Sequence, residues 1–201
     1  EKIKIANDVK KLFEKVLGEE KTRAIMFMFG KHLPSFYFRD KKWIESLLPK
    51  IFTDEPEKKH LYLAAWEGYL SGNVYKEIFV HPAFQKLYEQ GLTLTGAEDP
   101  GRKYFRDLSE GIATHFALAF THFEEFSFKV FLFNKFWEEK KIEQHVEFIN
   151  FLGRSCIAGD HSEMEKHVKE NPWCRKRLEK LWDQYLKDWK DPKLFAEFGF
   201  W

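Results

Sequence analysis

The sequence predicts an all-α fold, either an irregular α-solenoid or an orthogonal multi-helix bundle of about ten helices. Three observations carry that prediction. Apolar residues recur at i, i+3, i+4 in nearly every window, and strand alternation is almost absent. Glycine totals 11 and proline 7 in 201 residues, so few positions interrupt a helix. Aromatic residues make up 18%, with 22 phenylalanines, which suits helices packed by large flat side chains.

The elements follow in order. Ile3 to Leu17 carries the stripe Ile5, Val9, Leu12, Phe13, Val16 and Leu17, with Gly18 placed to end it. A second helix is expected from about Glu20 to His32 through Ile25, Met26 and Phe29, with Pro34 just beyond. Asp40 is placed to cap a short helix through Trp43, Ile44, Leu47 and Leu48, before Pro49. Asp54 is expected to cap the next, with Pro56 in its first turn, running through Leu61 and Trp66 to near Gly72. A short helix around Tyr75 to Phe79 precedes a break at His81-Pro82 and a restart at Pro82.

Gly91 to Gly101 holds three glycines and Pro100, and reads as a loop and an internal boundary within one domain spanning 1–201. The longest helix is expected to begin near Arg102, with Leu108, Ile112, His115, Phe116 and Phe120 on one face and Gly111 within it. Phe126 to Trp137 reads as a buried helix, and Ile142 to Ile157 as another. Asp160 is placed to cap a short helix through Met164 and Val168. Pro172 opens the last clear helix, with Leu178, Leu181, Trp182 and Tyr185 in its stripe.

Composition excludes several function classes. Thirty-three basic and 32 acidic residues leave a net charge of +1, which argues against a general affinity for nucleic acid or anionic membrane. Two cysteines, Cys156 and Cys174, lack C-x-x-C spacing and read as reduced thiols of a cytoplasmic protein. No apolar run approaches the roughly 18 residues of a membrane span, and no signal peptide is recognised. The chain lacks an initiator Met and closes on the aromatic run FAEFGFW, so it is expected to be part of a larger protein. Phe195, Phe198, Phe200 and Trp201 are then expected to meet other domains of that parent chain or a protein partner.

No catalytic signature stands out. His115 and His122 are seven positions apart, two turns along a helix, where one ion would need ligands three or four apart. His161 and His167 are six apart and point in different directions. Ser155 and Cys156 lack the frame of a nucleophile elbow, and His145 is about three turns from Cys156. There is no phosphate-binding glycine loop and no H-E-x-x-H. No catalytic, cofactor-binding or metal-binding residue is therefore expected. The candidate for nucleic-acid contact is the basic stretch at 166–180, with Arg175, Lys176, Arg177 and Lys180 as its centre. Glu163, Glu165, Glu170, Glu179 and Asp183 interleave with or flank its six basic residues, so it also reads as a solvated mixed face.

Six phrases, taken in order, resemble a known type of region. They are FGKHLPSFYFRDKKWIESLLPKIF (29–52), AAWEGYLSGNVYKEIF (64–79), THFALAF (114–120), FLGRS (151–155), RLEKLWDQYL (177–186) and FAEFGFW (195–201). Together they resemble the helical C-terminal region of large bacterial multidomain proteins. In those proteins the region follows sirtuin-like or nucleoside-triphosphatase modules, and several are associated with defence against phage. The resemblance implies a non-catalytic helical scaffold or recognition module, with any enzymatic activity in a module outside this sequence. None of the six phrases carries a catalytic residue.

Overall fold

The computed structural model describes residues 4–19, 22–93, 108–138, 142–157, 161–183 and 191–196. Twelve α-helices and no strand occur among the described residues, so the fold is all-α. The chain forms two compact units, one of residues 1–78 and 94–111, the other of residues 79–93 and 112–201. Of the boundary expected at 91–101, residues 94–101 lie outside the described residues.

The first unit is organised around α2 (Arg23–Arg39), which lies against α3 (Lys41–Ile51) and α4 (Lys59–Leu70). Met26, Phe29, Leu33 and Tyr37 of α2 are buried with Ile44, Leu47, Leu48 and Ile51 of α3. Most of α4 is buried, from Leu61 to Tyr69. Phe52, Trp66 and Tyr69 form an aromatic cluster, with Phe52 and Trp66 centroids 5.2 Å apart.

The sequence places Asp40 correctly. Its carboxylate accepts a 3.1 Å bond from the Trp43 N–H at the start of α3. The same carboxylate meets Lys10 of α1 (Asn7–Glu19), and Glu14 accepts a 2.7 Å bond from Trp43 Nε1.

Five local expectations are overturned. Pro34 lies inside α2, which continues to Arg39, and Pro49 lies inside α3. An interior proline costs a helix about 3 kcal/mol; burial of Leu33, Pro34 and Tyr37 offsets it in α2. Gly18 does not end α1, which runs through it to Glu19. Asp54 is not a cap, because Pro56 opens a single 3-10 turn (Pro56–Lys58) and Glu55 takes the flanking position. Gly91 is buried in α6 (Pro82–Thr93) rather than in a loop.

Helix α5 (Lys76–Phe79) stands at the end of the first unit's leading segment, and α7 (Leu108–His122) continues into the second unit from Ile112. Residues 102–107, expected to begin α7, and Asp160, expected as a cap, lie outside the described residues. The second unit also holds α8 (Phe131–Glu138), α9 (Ile142–Phe151), α10 (His161–Glu170), α11 (Pro172–Leu181) and α12 (Pro192–Ala196). The helix expected over 126–137 begins only at Phe131, after a turn. The helix expected over 142–157 changes to π-helical geometry at Leu152.

The core of this unit is phenylalanine. Phe79, Phe116, Phe120, Phe126, Phe133, Phe136 and Phe148 are all buried. Phe120 stacks on Phe133 at 5.2 Å, while Phe116 meets Phe136 edge-on at 5.0 Å. Such pairs add about 0.5–1.5 kcal/mol each beyond the area they bury.

Candidate functional site

Within the first unit, α1 and α2 leave an open groove between them. Phe13 of α1 forms its floor with Phe29 and Phe36 of α2, at centroid distances of 5.5 and 5.0 Å. Leu12 and Val16 stand on one wall, Ile25 and Met28 on the other. The volume between them is about 280 Å³, and among its lining residues only His32 carries a polar side chain.

The walls are open to solvent. Leu12 is 59% exposed, Met28 45%, Val9 39% and Ile25 36%. Leu17 is the one residue of α1 that is buried. The α1 stripe is legible in the sequence, but periodicity does not say which part of a stripe is covered.

The groove continues into a second hollow lined by Ile5, Ala6, Val9, Phe13, Ser35 and Phe36. Lys4 and Arg39 stand at its edge, with His32 between the two hollows. Among the described residues no carboxylate lines either one. Asp40, the cap of α3, is bonded to Lys10, and Glu14 of α1 accepts from the Trp43 indole.

The basic stretch at 166–180 does not present one cationic surface. Arg177 is buried, and its guanidinium donates to the carbonyls of Phe120 at 2.7 Å, Phe123 at 3.0 Å and Glu124 at 2.6 Å. The Trp173 ring covers it at 4.4 Å. Arg177 therefore satisfies the carbonyl end of α7 and has no face left for a phosphate. Arg175 is exposed and bonded to Glu179 at 2.9 Å. Lys169 pairs with Glu165 at 2.6 Å and Lys166 approaches Glu170 at 4.0 Å. Lys176 is exposed, and Lys180 lies over the Phe128 ring at 4.9 Å.

The histidines are recombined by the fold. His115 is buried, with Nδ1 2.7 Å from the Tyr88 hydroxyl. His122 points elsewhere and stacks on His167 of α10 at 4.7 Å. His167 Nε2 donates to the Thr121 carbonyl at 2.7 Å, and Asn171 Nδ2 lies 3.3 Å from its Nδ1. Burial lowers the His122 pKa, His167 lowers it further, and the Leu118 carbonyl opposes both. No sequence spacing signals the His122–His167 pair, because it spans two helices. Among the described residues no three His, Cys, Asp or Glu side chains converge as a metal site would require.

Cys174 is a buried free thiol whose pKa burial raises, so it has little thiolate character. Ser155 and Cys156 lie in the π-helical turn. Phe195 belongs to α12, while Phe198, Phe200 and Trp201 lie outside the described residues. No described helix is long and apolar enough to cross a membrane.

Comparison of the chain with protein-family models, with curated proteins and with solved structures finds no match.

Proposed function

We propose that this chain is a non-catalytic helical recognition module that binds a helix of a protein partner between α1 and α2. The observation that supports it is the groove with solvent-exposed walls at Leu12 and Met28. Large apolar side chains rimming a concavity are the usual signature of an interaction site. A small-molecule pocket needs several polar groups to fix orientation, and this groove has His32 alone along its apolar section. Two helices flanking an aromatic floor suit a third helix docking by one apolar face.

The same reading takes the chain as one part of a larger cytoplasmic protein, as the sequence resemblance implies, with chemistry supplied elsewhere. Positioning or recognition is then its contribution to the parent, and defence-associated bacterial proteins are the context that resemblance names.

A displayed library of amphipathic helical peptides tests the groove. Binders are expected, and Leu12→Glu and Met28→Glu should each release them without changing the melting temperature by more than about 1–2 °C. Both side chains are exposed, so folding tolerates the charge. A library yielding no binder, or binders indifferent to both substitutions, would overturn the reading.

A further inference from the structure

The two ends of the groove differ in chemistry, and that difference specifies the occupant further. At one end, Val16, Ile25 and Met28 offer only hydrocarbon and thioether. At the other, Lys4 approaches from the start of the described chain and Arg39 from the last turn of α2. Both are exposed. Among the described residues the lining contains no carboxylate, and Asp40, whose charge also reaches Lys4, already takes its bond from Lys10.

Resting on the reading of the groove as a helix-binding site, we propose that its occupant is an amphipathic partner helix with an apolar stripe and carboxylates at the end that meets Lys4 and Arg39. The lining runs from Ile5, just ahead of α1, to Val16 of α1, and from Ile25 to Arg39 on α2. At 1.5 Å per residue that is about 16–21 Å, or three to four turns of a docked helix. The partner's i, i+3, i+4 and i+7 side chains fill the space above Phe13, Phe29 and Phe36. Its acidic end fixes direction and register, because reversal would lay the carboxylates over Met28 and Ile25 and leave both cations unpaired.

An anionic membrane also combines apolar and acidic groups. It is a plane, however, and the apolar atoms here line a concavity whose floor a flat surface cannot reach. A helix is convex and reaches it.

The test uses the whole chain and three peptides of about fourteen residues sharing one leucine stripe. They differ in two residues at one end, which are Glu-Glu, Gln-Gln or Lys-Lys. Fluorescence anisotropy in low salt is expected to rank them acidic, neutral, basic, with the acidic peptide about three- to tenfold tighter than the neutral one. That ratio should shrink toward one in high salt. Joint Lys4→Glu and Arg39→Glu substitution should reverse the order, and Leu12→Glu should abolish binding of all three.

Equal affinities that still depend on Leu12 would sink the acidic-end assignment and leave the helix-binding reading standing. Failure of all three peptides would remove both. Phosphatidylserine vesicles form a fourth arm, and binding to them without peptide binding would make the face a lipid-contacting surface and overturn the proposal.

Discussion

Gly30 of α2 and Gly68 of α4 are reciprocal at one helix crossing: a Cβ on Gly30 would stand 1.9 Å from the Ala65 carbonyl oxygen, and one on Gly68 would stand 1.9 Å from that of Phe27. Each glycine lets the other helix's backbone into the space a side chain would fill. Ala64 and Ala65 extend the same small-residue surface, which brings α4 and α2 together along their buried faces. The obstacle in both cases is backbone, so no side chain can rotate away.

Gly30→Ala and Gly68→Ala are therefore each expected to destabilise the protein by about 3 kcal/mol or more. In a chain of 201 residues this lowers the melting temperature by roughly 6–12 °C. Gly18→Ala is the control of opposite sign. No atom lies within 4 Å of a Cβ there, and the residue is already helical in α1. It should gain about 0.5–1 kcal/mol from helix propensity. Differential scanning calorimetry of the three variants checks both signs, and a neutral Gly30→Ala would refute the close crossing.

Arg177 carries a second prediction, because it joins α11 to the end of α7 through three carbonyls and is covered by Trp173. Arg177→Ala leaves buried carbonyls without donors and should cost about 2–4 kcal/mol. Arg177→Lys should recover only part, since an ammonium lacks the planar fork that reaches several carbonyls. Arg175→Ala, which removes an exposed pair with Glu179, should change stability by less than about 0.5 kcal/mol. Urea denaturation separates these outcomes. Similar losses at positions 175 and 177 would argue against the capping role.

The contrast between these two arginines shows where the sequence is legible. Helical periodicity reveals the all-α class because each amphipathic stripe is written in consecutive residues. Asp40 is readable as a cap because the donor it serves, Trp43, is three residues away. Pro34 and Gly30 are not, because what keeps α2 continuous and closely packed is burial against distant residues. Arg177 differs from Arg175 only in which way the helix turns it. The groove has the same origin: Leu12 and Leu17 belong to one stripe, yet Leu17 is buried and Leu12 is not. The His122–His167 stack and the cationic end formed by Lys4 and Arg39 likewise arise from pairing residues on separate elements.

Asp40 serves two partners, and substitution separates them. Its pKa is lowered first by the bond from Lys10 and then by the Trp43 N–H. Asp40→Asn keeps an oxygen for the Trp43 N–H and loses the charge that meets Lys10. Asp40→Ala loses both. The alanine variant should cost about 1–2 kcal/mol and the asparagine variant clearly less. Thermal melts in low and high salt read the two contributions. Equal losses for both variants, erased by salt, would assign the whole effect to the Lys10 pair.

His145 sets a pH dependence whose direction follows from its surroundings. It is fully buried, stacked on Trp137 at 4.4 Å, and its Nε2 donates to the Phe136 carbonyl at 2.8 Å. Burial among aromatic rings disfavours the imidazolium and lowers the pKa from 6.5 to about 4, with the Phe136 carbonyl opposing only part of that. Between these values the unfolded chain takes up a proton that the native ring refuses. The stability contributed by the neutral ring is complete above about pH 6.5 and falls as the pH drops toward 4. It loses nothing further below that. The span corresponds to a loss on the order of 3 kcal/mol, or roughly 6–12 °C in melting temperature. His145→Gln keeps a donor for the Phe136 carbonyl and has no group that titrates in this window. Its melting temperature should therefore fall less between pH 7 and pH 4 than that of the unsubstituted chain. His122, whose pKa is also lowered, titrates equally in both proteins, and Asp40 loses its contribution only at still lower pH. The difference between the two curves isolates His145, and parallel curves across the window would show that it is not a buried neutral ring.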